Sequence, residues 1–206
     1  MAITDRRSLA PRPFDGWLRE LAAAGVDAVQ IREKDLDDLA VYRLARHARA
    51  TLPRRVAVLV NGRLDVALAA GADGVHLPAA GLPAEPLRRW ASAVAPGRRI
   101  AIGRSTHTPQ EVARAREERV DYVTFGPLFP TPSKAAHGPP PGPEGLRRAA
   151  AEGVPVVALG GVDAEGVAAA VAAGAAGVAG IRVFQDPDAL RKLTAALARE
   201  SRRHRG

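Results

Sequence analysis

Eight short apolar segments, separated by longer stretches with helical periodicity, limit what this chain can fold into more than any other feature. Short apolar strands that alternate with helices are typical of repeated βα units and a parallel sheet. Eight such units in 206 residues predict an α/β fold, a single (β/α)8 TIM barrel over residues 1–206 with a short first strand. The segments are residues 2–4, 28–31, 57–60, 74–77, 100–103, 122–125, 154–159 and 177–181.

Capping signals mark where several helices begin and end. Residues 37–51 have helical periodicity, and Thr108 with Glu111 forms a capping box that has Pro109 in the first turn. Asp163 is a candidate N-cap for the helix that follows the seventh segment. Glycines end other helices, and we expect this role for Gly25, Gly71, Gly153 and Gly174.

The composition excludes several functional classes. The chain has no cysteine, which excludes thiolate catalysis and zinc–thiolate sites and fits a reducing compartment. No apolar run reaches the roughly 18 residues of a membrane span, and no signal-peptide pattern follows Met1, so we expect a cytoplasmic protein without a membrane partner. The net charge is +8, but the arginines are scattered and aromatic residues make up only 4%. We therefore expect a solvated basic surface that attracts small phosphorylated molecules, and no nucleic-acid partner.

Polar residues directly after the apolar segments are the candidates for an active site, because barrels of this kind place it at the carboxyl ends of the strands. Arg32 and Lys34 follow the second segment on one side of the alternation, which predicts two cations at the barrel mouth. The alternative is that Glu33 and Lys34 only cap a loop. Asn61 follows the third segment, where its amide can donate and accept hydrogen bonds, although an Asn–Gly pair also forms turns.

Two histidines lie in or near the predicted strands, and one of them is a candidate for proton transfer. His107 directly precedes the capping box after the fifth segment. A histidine at the barrel mouth can move protons near neutral pH, so His107 is the candidate acid–base group. The alternative is a histidine in a surface loop. His76 lies inside the fourth segment, where it either faces the barrel interior or is simply packed.

Glycines near the ends of the last two strands predict a phosphate site. Gly160 and Gly161 follow the seventh segment, and Gly180 lies in the eighth. TIM barrels commonly bind phosphate there through backbone N–H groups that glycine leaves accessible. Residues 127–143 contain seven prolines, so we expect a long loop after the sixth strand. Its hydroxyl and ammonium groups are candidate substrate ligands, namely Thr131, Ser133 and Lys134.

Several segments resemble the thiamine phosphate synthase superfamily: residues 30–35, 74–77, 105–108, 121–123, 125–127, 129–134 and 158–161. The match covers nearly the whole chain, and residues 122–134 are highly specific. One branch, thiamine phosphate synthase, joins a pyrimidine pyrophosphate to a thiazole phosphate and uses Mg²⁺ to stabilise the departing pyrophosphate. The other branch, TenI, is a thiazole tautomerase that aromatises a thiazole carboxylate phosphate.

Two glycines favour the TenI branch. Synthases have Mg²⁺-binding aspartates at the positions that Gly62 and Gly81 occupy here, and a glycine side chain cannot bind a metal. Residues 2–5, 61–63, 76–78 and 102–105 also resemble TenI. The resemblance therefore implies a thiazole tautomerase that uses no metal and no cofactor, with a small thiazole phosphate as substrate.

The resemblance also implies roles for the candidate residues. His107 would be the acid–base catalyst, and Arg32 would bind the substrate carboxylate or stabilise developing charge. Backbone N–H groups of Gly160, Gly161 and Gly180 would hold the phosphate. Residues 130–134 look more like the synthase, so the transferase remains the alternative. A second alternative is a non-catalytic regulator of thiamine-related genes, based on the net charge and the missing aspartates. Association into a homo-oligomer is left open.

Overall fold

Eight strands form one sheet in the order β1 to β8. The computed structural model describes residues 1–9, 12–131 and 138–203. The strand pairs with a described register are parallel. The strands are β1 Ala2–Ile3, β2 Ala28–Ile31, β3 Ala57–Asn61, β4 Gly74–Leu77, β5 Ala101–Thr106, β6 Tyr122–Phe125, β7 Val156–Leu159 and β8 Gly177–Ala179.

Helices lie between successive strands and after the last one. They are α1 Arg6–Leu9, α2 Phe14–Ala23, α3 Asp38–Thr51, α4 Leu64–Ala69, α5 Ala84–Val94, α6 Pro109–Glu117, α7 Gly142–Ala150, α8 Val167–Ala172 and α9 Pro187–Arg203, with a 3-10 helix at Arg182–Phe184. The chain forms two compact units, Met1–Gly103 and Arg104–Gly206, and a single domain over residues 1–206 remains a prediction. Within the described ranges, no helix has both the length and the apolar character that crossing a membrane requires.

Apolar side chains of β2, β3 and α2 form the core of the first unit. Val29, Val58 and Val60 are fully buried, and so are Trp17 and Leu21 on α2. Burial of an apolar side chain of this kind stabilises the fold by about 1.5–3 kcal/mol. The strands read as almost continuous apolar runs because a parallel sheet is covered on both faces.

The register of β2, β3 and β4 determines which residues share a face of the sheet. Leu59 pairs with Gln30 on one side and with Gly74 on the other. Two residues further along, Asn61 pairs with His76. Since side chains alternate along a strand, these five residues share one face. No side chain fits at Gly74, because a Cβ there would lie 2.4 Å from a backbone carbonyl oxygen of β5.

The second unit is built around Phe125 of β6, Leu146 of α7 and Leu193 of α9, which are all fully buried. Leu190 lies three residues before Leu193 and is buried on the same side of α9. Asp186 begins this helix, because its carboxylate accepts two backbone N–H groups of the first turn at 2.8 and 2.9 Å.

Most of the predicted helix ends are confirmed. The carboxylate of Asp37 accepts the N–H of Ala40 at 2.8 Å and caps α3. The hydroxyl of Thr108 accepts the N–H of Glu111 at 3.2 Å, and Pro109 is the first residue of α6. The glycines predicted to end helices all have a positive φ, namely Gly25, Gly71, Gly153 and Gly174.

The fifth strand is longer than the predicted residues 100–103 and runs to Thr106. The carbonyl of Thr106 accepts the N–H of Gly126 at 3.2 Å, and its hydroxyl donates to the carbonyl of Thr124 at 2.9 Å. These bonds extend the strand by three residues. Arg104 is consequently part of β5, where it is 5% exposed and pairs with Glu118 at 2.8 Å.

Two helix starts also differ from the predictions. The helix that Asp163 was expected to cap begins only at Val167, and the Asp163 carboxylate accepts the N–H groups of Glu165 and Gly166 in the turn before it. Helix α7 begins at Gly142, inside the predicted loop over residues 127–143. A proline is compatible with the first turn of a helix, since the N–H that it lacks would have no helical partner there.

Candidate active site

The two predicted cations of the first unit, Arg32 and Lys34, lie directly after β2. Arg32 is partly exposed and Lys34 is exposed. The backbone N–H of Arg32 donates to the hydroxyl of Thr4 at 2.8 Å. Glu33 is 8% exposed, and its carboxylate accepts the backbone N–H of Arg6. Glu33 therefore binds the first residue of α1, and a substrate-binding role for Lys34 remains a prediction.

Gln30 is a polar residue of this region that the sequence did not single out as a ligand. Its side chain is 1% exposed, and its amide nitrogen has no hydrogen-bond partner in the described part of the chain. A buried donor without a partner costs about 1–3 kcal/mol. A ligand that supplies an acceptor would remove this cost. The only signal in the sequence was the alternation that puts Gln30 on the same side as Arg32.

Asn61 is the last residue of β3 and is half-buried. Its register partner His76 is 2% exposed, so the packed position that the sequence allowed for this histidine is the observed one. The next residue, Gly62, has a φ of 72° and donates its N–H to the carbonyl of His76 at 2.8 Å. This bond continues the pairing of β3 with β4, and a ligand role for Asn61 remains a prediction.

The segments after β3 and β4 do not fit the Mg²⁺ ion that a synthase would use. Mg²⁺ prefers carboxylate and other oxygen ligands, and neither Gly62 nor Gly81 supplies one. The N–H of Gly81 donates to the carbonyl of Pro78 at 2.9 Å. A Cβ at Gly81 would lie 3.0 Å from that oxygen and 3.1 Å from Cδ of Pro78. Over residues 1–9, 12–131 and 138–203, no cluster of three or more His, Asp or Glu side chains is arranged to hold a metal.

The second unit fixes His107 at the end of β5. Its backbone N–H donates to the Glu111 carboxylate at 2.6 Å, and its Nδ1 lies 2.5 Å from the carbonyl oxygen of Gly126. A carbonyl oxygen can only accept, so Nδ1 carries the hydrogen in this contact. In the neutral ring Nε2 then has the lone pair and can accept a proton. The exposed histidine that the sequence predicted as acid–base group thus has a defined tautomer.

Gly126 is the partner that the sequence analysis did not identify. A Cβ at this position would lie 2.1 Å from the carbonyl oxygen of Leu159. The close approach of β6 to β7 therefore requires glycine. The same residue donates to Thr106 and accepts from His107, so it connects the ends of β5 and β6. The Gly126–Pro127 pair after β6 was the sequence feature that could have indicated a special backbone position here.

Gly160 and Gly161 lie directly after β7, with φ values of 89° and 72°. The carbonyl of Gly160 accepts the N–H of Phe129 at 3.0 Å. A Cβ at Gly160 would lie 2.9 Å from Cα of Pro127, and one at Gly161 would lie 2.7 Å from Cβ of Phe129. Both glycines are thus required by the packing of residues 127–129 as well as by the backbone conformation. Phosphate binding by their N–H groups remains a prediction.

Gly180 directly follows β8 and precedes the 3-10 helix. A Cβ there would lie 2.9 Å from Cγ1 of Val183, so this position also excludes a side chain. Thr131 is half-buried at the end of a described segment. The other two predicted ligands of the loop, Ser133 and Lys134, lie outside the described residues.

Comparisons with known proteins decide the family. Residues 1–184 match the TMP-TENI family, described as thiamine monophosphate synthase. The chain belongs to this family. It is 44% identical over 199 residues to a putative thiamine-phosphate synthase of Geobacter sulfurreducens, covering 95% of this chain and 91% of the relative. It is 41% identical over 175 residues to a thiamine-phosphate synthase of Anaeromyxobacter dehalogenans, covering 83% and 77%.

Solved structures agree with the family. A thiamine phosphate pyrophosphorylase from Pyrococcus furiosus has a TM-score of 0.82 and 29% sequence identity, covering 97% of this chain and 95% of that chain. Together with eight parallel strands that alternate with helices, this likeness confirms the predicted (β/α)8 TIM-barrel fold. Membership of the TMP-TENI family also confirms the coarser functional prediction, an enzyme of thiamine biosynthesis. The family description does not separate the two branches.

Proposed function

We propose that this chain acts on a thiazole phosphate in thiamine biosynthesis and rearranges it by proton transfer, as a thiazole tautomerase. The observation that carries the proposal is the contact between Nδ1 of His107 and the carbonyl of Gly126. It leaves Nε2 as the nitrogen that can accept a proton. The glycines at positions 62 and 81 support a reaction in which no metal takes part.

The tautomerisation requires one proton to leave a ring carbon and one to reach the exocyclic carbon. A histidine that begins neutral, with its lone pair on Nε2, can take the first proton and then deliver a proton from the same nitrogen. The Gly126 carbonyl contributes by accepting the Nδ1 hydrogen, which fixes the ring and leaves Nε2 to exchange the proton. Phosphate binding at Gly160, Gly161 and Gly180 and carboxylate binding at Arg32 are further parts of this proposal.

The second candidate is thiamine-phosphate synthase. The relatives are named for this transferase, and their names favour it over the tautomerase. Thr131 and the synthase-like residues that follow it also support the synthase. A Mg²⁺ ion would supply charge stabilisation to the departing pyrophosphate, but Gly62 and Gly81 provide no ligands for it. The site residues thus favour the first candidate, whereas the names favour the second.

Two parallel assays separate the candidates. Purified protein is incubated with the non-aromatic thiazole carboxylate phosphate, and aromatisation is followed by absorbance. The same protein is incubated with hydroxymethylpyrimidine pyrophosphate, thiazole phosphate and Mg²⁺, and thiamine phosphate is measured. We expect EDTA-insensitive aromatisation far above the uncatalysed rate. Mg²⁺-dependent thiamine phosphate without aromatisation would replace the tautomerase by the synthase.

The His107→Ala substitution tests the assigned mechanism. Loss of a positioned acid–base group should lower kcat by about 10²- to 10⁴-fold. The matched control is His47→Ala, which removes an exposed histidine of α3 that contacts Asp15, and it should leave the rate nearly unchanged. Equal rates for the two variants would contradict the role of His107, while aromatisation by the wild type would still support the activity.

A further inference from the structure

The loop after β2 is held in place by residues to which the proposed reaction gives no role. We call residues 32–35 the cation loop, because they include Arg32 and Lys34. The two carboxylates of this loop, Glu33 and Asp35, alternate with the two cations along the chain. Adjacent opposite charges attract each other in a flexible loop. What the carboxylates bind therefore affects how much positive charge the loop presents.

Arg6 binds both carboxylates of the cation loop. Its backbone N–H donates to the two oxygens of Glu33 at 3.1 and 3.3 Å. Its guanidinium donates to the two oxygens of Asp35 at 2.9 and 2.6 Å, and it lies 3.5 Å from Glu33. A guanidinium that donates two parallel bonds to one carboxylate fixes its orientation as well as its position.

Further contacts strengthen this arrangement. Arg7 donates to Asp35 at 2.7 Å, and Thr4 accepts the N–H of Arg32 at 2.8 Å. The Glu33 side chain is only 4% exposed, while Arg6 is 40% exposed. The bond to Arg6 lowers the pKa of the Asp35 carboxyl to about 2. Asp35 is consequently charged and engaged with arginine at neutral pH.

We propose that Arg6 is a positioning residue that keeps Glu33 and Asp35 away from Arg32 and Lys34, so that both cations stay available to an anionic ligand. Arg6 itself does not touch the ligand. The inference rests on the proposed function only in taking the ligand to be a thiazole carboxylate phosphate. The arrangement of charges can be tested without any ligand.

The first test uses Lys34 as a reporter. The chain has only three lysines, Lys34, Lys134 and Lys192, so reductive methylation with ¹³C gives few signals, which Lys→Arg variants assign. In Arg6→Gln, the backbone N–H of residue 6 still binds Glu33, but Asp35 loses its bidentate partner and can approach Lys34. An opposite charge raises the pKa of a lysine by about half a unit or more. The double variant Arg6→Gln/Asp35→Asn should bring the Lys34 pKa back toward the wild-type value.

The second test measures ligand affinity. The dissociation constant of the aromatic carboxythiazole phosphate product should rise about fivefold in Arg6→Gln, because positioning is lost and the loop cations are partly neutralised. We expect KM for the substrate to rise by a similar factor with little change in kcat. The double variant should recover part of the affinity, since it removes the charge of Asp35 that the single variant releases.

The matched control is Arg12→Ala. Arg12 pairs with Glu20 at 2.6 Å in the same unit and has no described contact with the cation loop. It should change neither the Lys34 pKa nor the affinity.

Circular dichroism and thermal melting check that the variants fold. Arg6→Lys keeps the charge but cannot form the bidentate bond, so it serves as a milder variant. An unchanged Lys34 pKa in both Arg6 variants overturns the proposal. A raised Lys34 pKa without product binding by the wild type would instead count against the proposed function.

Discussion

The loop after β2 and the ends of β5, β6 and β7 are held in place by different physical means. In the first unit, Arg6 binds the buried carboxylate of Glu33 through its backbone N–H and the partly exposed carboxylate of Asp35 through its guanidinium. In the second unit, the backbone carbonyl of Gly126 contacts His107, and Gly126 packs so closely against the carbonyl of Leu159 that no side chain fits there. The first region depends on charge, and the second depends on the absence of side chains.

This difference determines what each region tolerates. Exposed ion pairs contribute only about 0.2–1 kcal/mol each and weaken in salt. A close-packed backbone cannot move aside for an added carbon, so overpacking costs about 1–3 kcal/mol and sometimes more. We expect substitutions in the second region to act mainly on stability and those in the first to act mainly on ligand affinity.

The largest effect should come from Gly126→Ala. The new Cβ would lie 2.1 Å from a carbonyl oxygen of β7, so β6 and β7 must separate and the contact with His107 must change. We expect a loss of about 3 kcal/mol or more in the free energy of unfolding, measured by urea denaturation. Gly177→Ala in β8 is the matched control, because its Cβ would meet nothing within 4 Å. If both variants unfold at the same urea concentration, the close packing of β6 against β7 does not stabilise this region.

The sequence predicted the eight strands because each is a short apolar segment between helical stretches, a pattern that involves only neighbouring residues. It also placed Arg32 and His107 correctly at strand ends. The pair of Arg6 with Asp35 joins residues 29 positions apart, and no local pattern encodes such a contact. The role of Gly126 depends on how closely β7 approaches β6. The extension of β5 to Thr106 likewise depends on hydrogen bonds to the next strand.

A smaller effect is expected for Gly81→Ala in the first unit. The added Cβ would be 3.0 Å from the carbonyl oxygen of Pro78 and 3.1 Å from its Cδ, and a small shift of this turn can relieve the contact. We expect a loss of about 1 kcal/mol in the free energy of unfolding. Gly16→Ala in α2 should have the opposite sign, with a gain of about 0.5–1 kcal/mol, because no atom lies within 4 Å of its Cβ.

Adding Mg²⁺ to the wild type and to Gly81→Ala tests whether the first unit binds this ion. Since Gly62 and Gly81 supply no carboxylate ligands, wild type and Gly81→Ala should melt at the same temperatures with and without millimolar Mg²⁺. A clear rise of the wild-type melting temperature with Mg²⁺ would show that other residues hold the ion. The synthase candidate would then gain support.

The smallest effect concerns the pH dependence of stability at Asp35. Arg6 lowers the pKa of this carboxyl to about 2, below the usual value of about 3.9 in an unfolded chain. A carboxyl with a lowered folded pKa stabilises the folded state above its unfolded pKa, and this contribution disappears as the pH falls from about 4 to about 2. Urea unfolding of wild type and Asp35→Asn between pH 5 and pH 2 measures it. We expect the variant to be slightly less stable at pH 5 and the difference to vanish toward pH 2.

Raised salt should reduce the difference in stability at pH 5, because Arg6 and Asp35 are partly exposed to solvent. A difference that persists at pH 2 would mean that Asp35 stabilises the loop through packing or neutral hydrogen bonds, and the charge-dependent description of this region would be wrong.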